Sequence, residues 1–154
     1  MAIPALADDA TGALEAGAKF AHHGLPARIW FWPEQPDTGD LSGSNGAVVD
    51  TESRHLAPAD AFARICQSAS PGVDHLYKKT DSTLRGNITA GFRALMTAYP
   101  SRPLVYVPAY PDMGRTGKTR RGTADNTRCQ WIKLAASSRR SRQPGVDDKA
   151  CFMV

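Results

Sequence analysis

The sequence predicts an α/β fold: an open, mostly parallel sheet flanked by helices. Three observations carry that prediction. Short apolar runs alternate with amphipathic stretches through residues 1–116. The runs are separated by segments of helix length, which parallel strands require as crossovers and hairpins do not. Polar clusters follow the C-terminal ends of the apolar runs instead of being scattered.

Each element can be justified in turn. Ala2 to Ala7 is a strand ending at Asp8-Asp9; Pro4 counts against it, because proline gives no ladder donor. Thr11 to His23 is a helix stopped by Gly24, with Leu14, Gly17, Ala18 and Ala21 expected on its inward face. Ala27 to Trp32 is a second strand, closed by Pro33, and Glu34 to Gly46 is a Gly/Ser/Pro/Asp-rich loop. Ala47 to Asp50 is the third strand. Pro58 to Ser68 is a helix with Phe62, Ile65, Cys66 and Ala69 on one face. His75 to Lys78 is the fourth strand. Asn87 can cap a helix carrying Ile88, Phe92, Leu95, Met96 and Tyr99, and Leu104 to Val107 is the fifth strand.

In a three-layer, Rossmann-like sheet, all these strand ends lie along one edge, where such folds bind ligands. Asp8-Asp9, Thr51 to Arg54, Lys79 to Ser82 and Asp112 to Thr116 are therefore expected to converge on one cleft.

Composition and charge narrow the function. The chain has 154 residues, 42% apolar and 22% charged, with no apolar run long enough to span a membrane. Asp8 and Asp9 follow the first apolar stretch, and no basic region precedes it, so it does not read as a secretion signal. Cys66, Cys129 and Cys151 lack the spacing of a disulfide framework or a zinc site. A soluble, cytoplasmic protein without a membrane partner is the expectation. The net charge of +4 is unevenly placed. Residues 1–116 hold 10 Lys+Arg against 12 Asp+Glu, whereas 117–154 hold 9 against 3. The segment 117–154, with Arg120-Arg121, Arg139-Arg140 and Arg142 among Ser, Thr, Gly and Gln, buries little and is expected to be a disordered basic tail.

The cleft residues have identifiable chemistry. Asp8 and Asp9 can accept hydrogen bonds from substrate hydroxyls or orient one of them as a base; Asp9 can equally cap the following helix. Lys79, Asp81, Ser82, Arg85 and Asn87 crowd five polar functions around Gly86, and the cations there could hold a carboxylate or phosphate. The bland reading is a solvated turn with an asparagine cap. Arg54 could join them or be an ordinary surface residue.

Asp8-Asp9-Ala10-Thr11-Gly12, Thr51-Glu52-Ser53-Arg54, the run from Lys78 to Asn87 and the run from Pro108 to Thr116 together resemble the four-carbon acid sugar kinase family, in the family's order. The resemblance covers about residues 3–116, most of the family's N-terminal sugar-acid-binding domain. It implies ATP-dependent phosphorylation, with Mg2+, of a terminal hydroxyl on threonate, erythronate or a 3-oxo acid. It also implies that Asp8, Asp9 and Asp81 contact substrate hydroxyls, with Asp9 or Asp81 catalytic. Arg54, Lys79 and Arg85 would neutralise the substrate carboxylate, and Ser82 would add a hydrogen bond.

The pattern stops at Thr116, and residues 117–154 resemble neither this domain nor an ATP-binding one, as a frameshifted or truncated product would. Residues 1–116 are therefore expected to be a partial substrate domain that binds a sugar acid without turnover and holds neither ATP nor Mg2+ strongly. The rival readings are non-specific nucleic-acid binding through the basic tail and an inactive truncated product. Specific nucleic-acid recognition is not expected, and nothing identifies a protein partner. Asp112 to Thr119 has the ending of a phosphate-binding loop but lacks its first glycine. His22, His23, His55 and His75 lack metal-ligand spacing, and Trp30, Phe31 and Trp32 read as core and cover residues.

Overall fold

A computed structural model of the chain describes residues 3–37, 39–40, 45–70, 72–107 and 152–153. Among the described residues six strands form one parallel sheet: β1 (Ile3–Ala7), β2 (Ala27–Phe31), β3 (Gly46–Asp50), β4 (Tyr77–Lys78), β5 (Leu104–Val105) and β6 (Phe152–Met153). Their order is β2-β3-β1-β4-β6-β5. The helices are α1 (Ala10–His22), α2 (Pro58–Ser68) and α3 (Ile88–Ala98). This is the expected α/β architecture. The sequence predicted no strand at β6, and the rest of 117–154 lies outside the described residues, as do Cys129, Cys151 and the cluster at 112–119.

Side-chain alternation along the strands builds two cores. Ala5, Ala7 and Val48 face one way and pack with Ala13 and Ala16 of α1. Leu6, Val49 and Leu76 face the other way, with Ile65 of α2 and Ala94, Leu95 and Tyr99 of α3. Each large aliphatic side chain buried there contributes about 1.5–3 kcal/mol. The register aligns the strand ends: Ala7 lies opposite Asp50, Asp50 opposite Phe31, and Leu6 opposite Lys78. The residues that follow β1, β3 and β4 therefore leave the sheet at a common edge.

Several expectations need correction. The inward face of α1 is Gly12, Ala13, Ala16 and Gly17, and Leu14 is 55% exposed. The helix lies so close to the sheet that a methyl on Gly17 would come within 2.9 Å of Ile29 Cδ1. Small residues therefore face inward, and the bulkier leucine is turned out. Pro4 is tolerated because it stands near the start of β1, before β4 joins at Ala5. On edge strand β2, Trp30 and Trp32 are only half-buried and Phe31 is 42% exposed. Arg28 and Arg64 lie over the two indole rings, so these residues cover the sheet and are not core.

Asn87 occupies the N-cap position of α3, but its side chain does not cap the helix. Its amide donates instead to the carbonyls of Ser53 at 2.9 Å and Leu56 at 2.8 Å, tying α3 to the loop after β3. Asn87→Ala would leave these carbonyls without that donor and should destabilise the fold by about 2 kcal/mol. A urea denaturation midpoint checks this; an unchanged midpoint would show that the tie is dispensable.

Candidate functional site

The site starts where β1 ends. Asp9 Oδ1 accepts the Gly12 amide at 2.8 Å and caps α1, so the capping role is real. A methyl on Gly12 would lie 2.9 Å from that oxygen, so only glycine allows the approach. The loop after β3 is stapled across this end. Thr51 donates from both its amide, at 3.0 Å, and its hydroxyl, at 2.7 Å, to the carbonyl of Ala7. The Thr51 and Ser53 hydroxyls share a buried 2.8 Å hydrogen bond, and Arg54 N–H donates to the carbonyl of Asp8 at 3.1 Å.

That staple aims Arg54 into the carboxylates. Nε donates to Asp8 Oδ2 at 3.2 Å, Nη2 donates to Asp8 Oδ1 at 2.9 Å, and Nη1 pairs with Asp9. Nη2 also lies 3.8 Å from Asp81 Oδ1. Burial opposes the guanidinium charge. The hydrogen bonds to Asp8 and the fields of Asp8, Asp9 and Asp81 outweigh it and hold Arg54 above its ordinary value. Arg54 is thus no ordinary surface residue, its side chain being only 13% exposed.

The loop after β4 closes the third side. Asp81 accepts from the amide and hydroxyl of Thr83 and from the amide, Nε and Nη2 of Arg85. The hydrogen bond from Arg85 comes first among the causes that hold its carboxyl well below the ordinary range, against the effect of burial. Gly86, at φ +87°, lets this loop lie against Arg54. A methyl there would meet Arg54 Cγ at 2.9 Å, and an L side chain rarely adopts that φ. Lys79 Nζ pairs with Glu15 of α1 at 3.1 Å. Arg85 is 71% exposed on its side chain, and Ser82 is exposed.

The structure thus brings together Asp8, Asp9, Arg54, Lys79, Asp81 and Arg85, with Ser82 at the rim. Three participants were not singled out from sequence. Glu15 reaches Lys79 from another element, which local spacing cannot reveal. Asp50 is fully buried; its Oδ1 accepts the Glu52 amide at 2.9 Å, Oδ2 has no hydrogen-bond partner among the described residues, and burial pushes its carboxyl up. Lys78 is buried beside Asp8, and its alternation with inward-facing Leu76 could have marked it. A cavity of about 10 Å³, room for about one water, lies between Asp8, Ser53, Lys78, Thr80 and Asn87 and the apolar Ile65, Ile88 and Phe92.

Among the described residues no group of three or more His, Cys, Asp or Glu side chains could hold a metal ion. The site carboxylates are hydrogen-bonded to guanidinium and backbone donors. The described residues therefore do not fit Mg2+. Among the same residues no helix is long and apolar enough to cross a membrane.

Comparison with known proteins adds independent findings. The model of the sugar-binding N-terminal domain family matches residues 3–130. The chain is 37% identical over 115 residues to D-threonate kinase of Cupriavidus necator, covering 72% of this chain and 27% of that protein. It is 35% identical over 118 residues to D-threonate kinase of Bordetella bronchiseptica, covering 72% and 29%. It is 31% identical over 117 residues to D-erythronate kinase of Heliobacterium modesticaldum, covering 71% and 26%. The chain therefore spans between a quarter and a third of the length of these relatives. A crystal structure of a domain of unknown function from B. bronchiseptica, solved with bound citrate as a domain-swapped dimer, superimposes with a TM-score of 0.66. It shares 32% identity and covers 75% of this chain and 31% of that one.

Proposed function

The chain belongs to the family of sugar-binding N-terminal domains of four-carbon acid sugar kinases, and on that premise we propose that its site binds a small hydroxylated carboxylate such as D-threonate or D-erythronate. One observation carries this reading. Side chains from three strand ends form a single network in which carboxylates and cations alternate: Asp8 and Asp9, then Arg54, then Asp81, then Arg85. A polyhydroxy acid presents the complementary pattern of hydroxyl donors beside one anion.

The roles divide by what each group has left to offer. Arg54 spends its donors on Asp8 and Asp9 and so fixes the carboxylates that would receive substrate hydroxyls. Lys79 and Arg85 are the cations suited to the substrate carboxylate. Lys79 is paired to a half-exposed Glu15, and Arg85 stands largely in solvent. Asp81, held strongly ionised, is a weak base; we assign it the anchoring of Arg85 and its loop in preference to proton abstraction. In a complete kinase, ATP would supply the phosphoryl group, while these residues bind and orient the acceptor hydroxyl. The citrate in the B. bronchiseptica structure, also a hydroxylated carboxylate, supports this choice of ligand class.

Isothermal titration of the 154-residue chain with D-threonate, D-erythronate, succinate and threitol tests the proposal. The sugar acids should bind at least about tenfold tighter than succinate, which lacks hydroxyls, and threitol, which lacks charge. Lys79→Met and Arg85→Met should each lower sugar-acid affinity about tenfold or more while the chain stays folded. Equal affinity for succinate and threonate would overturn the reading.

A further inference from the structure

Beneath the site lies a cation that the binding scheme does not use. Lys78 is 3% exposed, yet among the described residues no carboxylate pairs with its ammonium group. Nζ donates to the carbonyl of Leu6 at 3.4 Å and to that of Lys79 at 3.2 Å. The Leu6 carbonyl also receives the Lys79 amide at 2.8 Å, so Lys78 braces the point where β1 and β4 leave the sheet. An ammonium has three donors and these carbonyls take two. Lys78 also lines the cavity that it shares with Asp8, Ser53, Thr80 and Asn87.

The charged groups around it come from several elements: Asp8 just after β1, Asp50 at the end of β3, Arg54 in the following loop, and Lys79 just after β4. Helices α2 and α3 add Ile65, Asn87, Ile88 and Phe92 to the same cavity, none of them ionisable. The environment is therefore uncharged on the helix side and charged on the site side.

We infer that Lys78 is a positioning residue that sets the charge beneath the sugar-acid site, so that anionic ligands bind tightly while its ammonium is protonated and release as it deprotonates. The inference rests on the sugar-acid reading of the site. Burial, only partly offset by Asp8 and Asp50, brings Lys78 down to about 8, so its charge is lost within an accessible pH range. Loss of one positive charge within about 10 Å of a bound carboxylate weakens binding about tenfold. By linkage, an anionic ligand should drive proton uptake by Lys78 near pH 8.5.

The test is calorimetric titration of the full chain with sodium D-threonate at pH 7 and pH 9.5, with proton uptake measured at pH 8.5 in buffers of different ionisation enthalpy. The wild-type chain should lose about tenfold in affinity across that range and take up protons on binding. In Lys78→Met, both the affinity step and the proton uptake should vanish. The variant separates Lys78 from the α-amino group, which titrates at about 7.7–8.0 and remains in it. A step of equal size in Lys78→Met overturns the inference while leaving sugar-acid binding intact. A flat wild-type profile overturns it without recourse to any variant. Absence of D-threonate binding by the wild type at both pH values overturns the reading of the site, and this inference with it.

Discussion

Arg54→Met is expected to lower stability by about 3–5 kcal/mol and to abolish sugar-acid binding. The guanidinium is the shared partner of Asp8 and Asp9 and lies beside Asp81. Its removal leaves Asp8 and Asp9 crowded together without the guanidinium that pairs with both. A loss of that size is a large share of the total stability of an ordinary domain, so unfolding near room temperature is within reach. Urea denaturation at pH 7 checks the stability loss, and calorimetric titration with D-threonate checks the loss of binding. A variant with the wild-type midpoint at pH 7 would show that Arg54 is an ordinary surface residue after all.

Asp81→Asn should cost about 2–4 kcal/mol, because one carboxylate organises the whole loop from Thr83 to Arg85. An amide has a single acceptor oxygen and cannot receive Arg85 in two-pronged fashion. The pH dependence follows from the direction of the shift. Asp81 is lowered in the folded chain, chiefly by Arg85 and then by Thr83. The unfolded chain therefore takes up this proton first as pH falls. The stabilisation is fully present above the unfolded carboxylate value of about 3.9 and is lost progressively below it. The wild type should lose stability more steeply than Asp81→Asn between about pH 4 and pH 2. Parallel acid-unfolding curves for the two proteins would contradict that role.

Much of this was legible in the sequence. Alternation of apolar runs with amphipathic stretches predicted a parallel sheet, and Pro58–Ser68 was placed at its observed bounds. Clustering of Asp8-Asp9, Thr51 to Arg54 and Lys79 to Ser82 behind strand ends predicts their convergence, because parallel topology puts those ends on one edge. What sequence missed depended on close approach. On α1 the periodicity places Gly17 inward correctly, but Leu14 carries the strongest apolar signal and pulls the expected face round, whereas tight packing against the sheet selects Gly12, Ala13 and Ala16 beside Gly17. Asn87 looked like a cap, since local pattern cannot show that its amide reaches Ser53 and Leu56 more than thirty residues away. Glu15 and Asp50 belong to the charge network through space alone.

The most direct measurement is an amide chemical-shift map of the isotope-labelled chain titrated with D-threonate. Saturable shifts are predicted at Asp8 to Gly12, at Thr51 to Arg54 and at Lys79 to Gly86, with the exposed β2 edge from Ala27 to Phe31 unmoved. Saturable shifts confined to the β2 edge, or no shifts at millimolar D-threonate, would contradict the assignment of a sugar-acid site to these strand ends.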